Sequence, residues 1–145
     1  MDAAKYDLEE RLLDFAVRVI RVTESMIRSR AATHIADQML RAGTSPYGNH
    51  GEAESAESRD DFVHKLRICL KELRETRRWL RLIHRTPLVS KPDRLEGILA
   101  EADELIRIFV VSIRTAEGNR SAPQARLGVR RSAFGVQRFA RGDSA

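Results

Sequence analysis

The sequence predicts an all-α protein: an antiparallel up-down four-helix bundle over residues 1–118, with a flexible basic tail over 119–145. Three observations carry this expectation. Four segments of about 20 to 28 residues each show an apolar stripe near the 3.5-residue period of helix-bundle seams. The connections between them are short. No segment sustains the strict alternation of a half-buried strand, so a sheet has nothing to be built from.

The first segment, residues 6–28, places Leu8, Leu12, Phe15, Val19, Val22 and Met26 at alternating steps of four and three. Leu13, Ile20 and Ile27 widen that stripe on one side, giving the broad apolar face of an amphipathic helix. The second, about 31–55, sets Ala32, Ile35, Ala36, Met39, Leu40 and Ala42 on one face. It then enters Gly43-Thr44-Ser45-Pro46-Tyr47-Gly48-Asn49, where propensity alone would end a helix.

Ser58-Arg59-Asp60-Asp61 reads as an N-cap followed by acids that offset the helix dipole. From Phe62 a heptad runs unbroken: Phe62, Cys69, Thr76 and Ile83 form one series, and Leu66, Leu73 and Leu80 the other. This third helix extends to about Arg85, before the connection Thr86-Pro87-Leu88-Val89-Ser90. Ser90-Lys91-Pro92-Asp93 supplies a further cap with proline in the first turn. The fourth helix is expected to turn Leu95, Leu99, Ala102, Ile106, Phe109 and Ile113 inward and to stop at Gly118.

Composition bounds the function. A chain of 145 residues with 42% hydrophobic content makes one domain with a packed core, and 8 Gly with 4 Pro argue against a collagen-like or wholly disordered chain. The longest apolar runs, such as Ile108-Phe109-Val110-Val111, fall far short of a membrane span, so no membrane partner is expected. The stretch Met1 to Asp7 is polar and lacks the pattern of a secretory signal, which leads to an expectation of cytoplasmic residence. A single cysteine, Cys69, forms no intramolecular disulfide and suggests no zinc cluster.

Charge is unevenly placed. Of 26 basic and 21 acidic residues, 6 and 2 fall in residues 116–145, so most of the net +5 sits in the tail. Within the third helix, Arg67, Lys71, Arg74, Arg78, Arg81 and Arg85 line up on a face away from the heptad. Two readings of this ridge stand side by side. It is a solvated stripe paired with acids such as Glu9, Glu10, Asp14, Glu101, Asp103 and Glu104, or a row of forked phosphate contacts for RNA or DNA. The tail arginines, Arg130 and Arg131 among them, interleave with Phe134 and Phe139, which suits phosphate neutralisation and base stacking. A variable solubilising extension is the other reading of the tail. A third has Leu127, Val129, Phe134 and Val136 docking on a partner or a neighbouring subunit.

Ile68, Trp79 and Leu82 lie away from the heptad, beside Glu72 and Glu75. Large apolar groups there suggest an oligomer interface, unless neighbouring helices or the Pro87 connection cover them. The four histidines, His34, His50, His64 and His84, show no metal-ligand spacing, and no Glu-x2-His pair repeats, so neither a metal nor another cofactor is expected. No nucleophile elbow, phosphate loop or paired-carboxylate arrangement is visible, and Cys69 occupies a core position. The chain is expected not to be an enzyme.

A longer pattern narrows the reading. Arg41-Ala42-Gly43-Thr44-Ser45 is followed by Asn49, Glu52-Ala53, Ala56-Glu57-Ser58, Asp61-Phe62-Val63-His64-Lys65-Leu66, Leu70-Lys71-Glu72, Glu75-Thr76 and Trp79-Leu80. With Leu12-Leu13-Asp14-Phe15-Ala16 and Phe109-Val110-Val111-Ser112-Ile113, this series closely resembles the 23S rRNA intervening-sequence protein family of four-helix bundles. The likeness covers about residues 7 to 118. It implies an up-down bundle that assembles as a homopentamer in bacteria, and a second segment that stays helical through Pro46 with a kink. A related pentameric bundle, the accessory protein of diversity-generating retroelements, binds nucleic acid and a reverse transcriptase. By that analogy the chain is a nonenzymatic nucleic-acid-associated protein, RNA foremost; the alternative is a protein-interaction scaffold or accessory subunit. The motif residues Ser45, Asn49 and Glu52 are then expected to form a polar network between helices or subunits, and His50 stands where relatives often carry an aromatic residue.

Overall fold

Three helices begin on an oxygen-bearing side chain that takes up a free backbone N–H. The Asp7 carboxylate accepts from the Glu10 amide, Ser29 Oγ from Ala32 and Ser58 Oγ from Asp61, each at 3.0 Å. They open α1 (Leu8–Glu24), α2 (Arg30–Glu54) and α3 (Arg59–Arg85). A 3-10 turn, Pro92–Leu95, leads into α4 (Glu96–Arg120) without a side-chain cap. The computed structural model describes residues 7–120, the side chains of 119 and 120 excepted.

Cross-helix partners show that consecutive helices run antiparallel. Cys69 of α3 meets Pro46 of α2, while Lys65, earlier in α3, meets Glu52, later in α2. Arg77 pairs with Asp103 of α4, and Arg67, ten residues before it, with Glu117. Arg11 of α1 is held by two hydrogen bonds of 3.0 Å to Glu101, and Arg18 lies against Gly97. The α1–α4 seam is the thinnest of the four, and the α2–α3 seam the most extensive.

The α3 heptad forms the spine of the core. Phe62, Leu66, Cys69, Leu73, Thr76, Leu80 and Ile83 are all buried, and Thr76 satisfies its hydroxyl on the Glu72 carbonyl at 2.7 Å. Against it pack Leu8, Leu12, Phe15 and Val19 of α1, and Ile35 and Met39 of α2. Each fully buried Leu or Phe contributes about 1.5 to 3 kcal/mol of transfer free energy.

Four expectations change in detail. Helix α1 ends at Glu24 rather than near residue 28, because the chain turns at Ser25 and Ile27 donates instead to the Leu88 carbonyl at 2.9 Å. Ile20 and Ile27, assigned to the α1 stripe, are exposed, as is Leu40 on α2. In α4 the inward register is Leu95, Ile98, Ala102, Leu105, Phe109 and Ile113; Leu99 and Ile106 sit only at its edge. Ala102, Phe109 and Ile113 belong to either register, and apolar residues flank them on both sides, so packing against the other helices rather than the apolar pattern selects Ile98 and Leu105. Helix α4 also continues through Gly118, a residue that favours a stop only when its backbone turns left-handed. By contrast α2 runs unbroken through Pro46, which lies buried in it. Among the described residues no strand forms, and no helix combines the length and apolarity needed to cross a membrane.

Candidate nucleic-acid interface

The outer face of α3 follows from its register. Once the heptad is turned inward, steps of four and three from Arg67 to Arg85 leave six basic side chains on the far side, along about 27 Å of helix. All six are exposed. Arg67 forms an ion pair with Glu117 of α4. Lys71, Arg74, Arg78, Arg81 and Arg85 make no ion pair among the described residues. The acids expected to neutralise them are engaged elsewhere or distant: Glu101 holds Arg11, Asp103 holds Arg77 at 2.5 Å, and Glu104 holds Arg107 at 3.3 Å. Glu9, Glu10 and Asp14 lie on α1, which packs on α2 and α4 rather than on the α3 ridge.

Beside the ridge runs the line Ile68, Glu72, Glu75, Trp79 and Leu82. The indole N–H of Trp79 donates to Glu75 Oε2 at 3.0 Å, and the ring packs against the core. Arg41 reaches across from α2 to the same carboxylate at 3.3 Å and stands 3.9 Å from Glu72, whose Oε1 is buried without a hydrogen bond. Ile68 is half-buried. Leu82, 43% exposed, is thus the most open of the three apolar residues assigned to an interface. It helps to line a groove of about 570 Å³ with Glu75, Arg78, Trp79, Arg81, His84, Arg85 and, from α4, Leu99. Guanidinium groups of the kind that hydrogen-bond phosphate, one carboxylate and an apolar floor therefore occur together at the C-terminal half of α3.

The motif residues divide into two contacts. Asn49 Nδ2 donates to Ser45 Oγ at 2.9 Å within α2, whereas Glu52 receives Lys65 Nζ of α3 at 2.6 Å. His50, next to Asn49, is 1% exposed; burial pushes its imidazole down to about 4, and Nε2 lies 3.5 Å from Glu54 without a hydrogen bond. Burial raises the Cys69 thiol to about 12, so it is no nucleophile at neutral pH.

The histidines do not converge on one another. His34 and His64 are exposed on α2 and α3, and His50 is enclosed. One grouping escaped the spacing argument: His84, Asp93 and Glu96 come together from the end of α3 and the start of α4. Only the tight connection through Pro87 could have pointed to it. Arg130 and Arg131 lie outside the described residues.

The family profile described as "23S rRNA-intervening sequence protein" matches residues 5–110. A crystal structure of a protein of unknown function from the S23 ribosomal protein family of Bacteroides thetaiotaomicron superposes with a TM-score of 0.67. The two are 35% identical, over 72% of this chain and 96% of that one. No curated protein matches.

Proposed function

The chain belongs to the 23S rRNA-intervening sequence protein family, and we propose that it acts without catalysis, as a self-associating bundle that binds nucleic acid, RNA foremost, along the basic ridge of α3. The observation that carries this reading is the state of Lys71, Arg74, Arg78, Arg81 and Arg85. Arg11 and Arg77 are spent on neighbouring acids; these five share one exposed face, and the acids nearest them, Glu72 and Glu75, are turned to Arg41 and Trp79. Exposed guanidinium groups at helical spacing bind phosphate oxygens by forked hydrogen bonds and release counterions in doing so.

Fluorescence anisotropy with structured RNA at several salt concentrations tests the ridge. Affinity is expected to fall steeply with salt, and the triple variant Arg74→Ala, Arg78→Ala, Arg81→Ala is expected to flatten the slope by about 2 to 3. No binding at low ionic strength, or a triple variant that binds like the parent chain, removes the assignment.

A second reading, a protein-interaction scaffold in the cytoplasm, is favoured by Leu82 and the groove it lines. The homopentamer that the resemblance implies belongs to both readings. Sedimentation is expected to give five times the 16.5 kDa chain mass. If the interface includes this groove, Leu82→Glu dissociates the assembly; an intact oligomer places the contact elsewhere.

A further inference from the structure

His84 lies in the last turn of α3, Asp93 in the 3-10 turn and Glu96 at the first position of α4. One imidazole nitrogen and two carboxylate oxygens from these residues all lie within 4.8 Å of one another. His84 is half-buried, which limits its freedom, whereas Asp93 and Glu96 are exposed. None of the three side chains forms a hydrogen bond or ion pair with another described residue. This holds although Arg81 and Arg85 border the same groove as His84, and Arg94 follows Asp93 directly. Two carboxylates kept this close repel unless a cation lies between them.

The donor set decides which cation. Imidazole nitrogen is a borderline donor and carboxylate oxygen a hard one, a combination that suits first-row divalent ions of the zinc class rather than soft thiophilic metals. A neutral imidazole with two carboxylates also cancels the double charge of the ion. The occupied site then adds no positive charge to a surface already rich in arginine. Zinc-to-ligand lengths of 2.0 to 2.2 Å set the ligand atoms about 3.4 Å apart. The ligand atoms, within 4.8 Å of one another, would draw in by up to about 1.4 Å, and the two acids are exposed side chains.

We propose that His84, Asp93 and Glu96 form a site for a divalent ion of the zinc class that clasps the end of α3 to the start of α4. The remaining coordination positions face solvent. Because the ligands come from both sides of the connection through Pro87, the ion ties two helices that are otherwise joined there only by the chain and its packing.

Isothermal titration of the tag-free full-length protein with Zn²⁺ tests the site. One ion per chain is expected, with binding at least tenfold weaker in His84→Ala and in Asp93→Asn and unchanged in His64→Ala, an exposed histidine elsewhere on α3. Co²⁺ in place of Zn²⁺ is expected to give visible ligand-field absorption that His84→Ala abolishes. Asp93 is exposed, so its asparagine variant carries the test even if His84→Ala fails to fold. Absence of stoichiometric Zn²⁺ uptake by the parent chain overturns the proposal. So does uptake that His64→Ala weakens as much as Asp93→Asn.

Discussion

In α3 an apolar or small buried side chain returns every three or four residues from Phe62 to Ile83, whereas its neighbour α2 carries Gly43, Pro46, Gly48 and Gly51 and is nevertheless one helix. Three glycines and a proline cost roughly 6 kcal/mol of helix propensity relative to alanine. Helix α3 has no such burden; its local preferences and its seam agree. The second half of α2 is therefore helical because of what it touches. Gly43 lies against Val19 of α1, the Pro46 carbonyl accepts from Cys69, and Glu52 holds Lys65. One helix supplies the seam, and the other is shaped by it.

The largest test of that contrast removes part of the seam. Leu73 is fully buried at the middle of the heptad, where the other helices pack on α3. Leu73→Ala is expected to lower stability by about 3 to 4 kcal/mol through lost transfer free energy and the cavity left behind. Urea denaturation followed by circular dichroism reads it, and a loss below about 1 kcal/mol would mean that the seam does not hold the bundle.

The next effect belongs to α2. His50 is enclosed with Asp7 and Glu54 in its neighbourhood, and burial keeps it neutral down to about pH 4, against 6.5 in the unfolded chain. Its contribution is fully present above pH 6.5. It is lost as pH falls from 6.5 towards 4, because over that range only the unfolded chain takes up the proton. Glu54 works in the opposite sense. Burial, Glu9 and Asp7 raise its carboxyl, so the folded chain holds that proton to higher pH than the unfolded one. The net expectation between pH 7 and 4.5 is a loss of about 2 kcal/mol. In His50→Phe stability should instead stay level or rise over the same range; an unchanged loss assigns the acid sensitivity to other groups.

The same contrast explains what could be read from the amino-acid order. Helix α3 was legible down to its cap at Ser58, since one period fixed its core face and, by subtraction, its basic ridge. The fate of the ridge was not legible. Whether Arg74 or Arg78 finds an acid depends on how α4 is rotated, and packing turns Ile98 and Leu105 inward in place of Leu99 and Ile106. Continuity of α2 through Pro46 came from family resemblance alone, because its physical cause lies in contacts with α1 and α3. The grouping of His84, Asp93 and Glu96 was hidden for a similar reason: spacing rules find ligands on one helix face, and these come from either side of a turn.

Gly43 separates local from tertiary control at a single residue. An added Cβ would stand 2.7 Å from both γ-carbons of Val19, a short, β-branched side chain with little freedom to move aside. Propensity alone predicts that Gly43→Ala stabilises by about 1 kcal/mol. Overpacking at this contact costs about 1 to 3 kcal/mol, and a net loss of about 1 kcal/mol is expected. Placing Gly43→Ala in a Val19→Ala background removes the clash, so there the substitution should become stabilising. A double-mutant cycle in urea measures that change of sign. If Gly43→Ala stabilises both backgrounds, the α1–α2 approach does not require glycine.

Gly48 and Gly51 complete the comparison at the smallest scale. Both are exposed within α2, and an added Cβ at either meets nothing within 4 Å. Tertiary packing therefore makes no demand there, and only the backbone entropy of glycine in a helix remains. Gly48→Ala is expected to raise stability by about 0.5 to 1 kcal/mol, which for a bundle of this size is a rise of a few degrees in melting temperature. Because that gain belongs to the single chain, it should not vary with protein concentration. A loss instead, and one that grows as the protein is concentrated and copies associate, would mean that an assembled neighbour occupies the open space beside Gly48. This exposed stretch of α2, rather than the Leu82 groove of α3, would then be where copies of the chain meet.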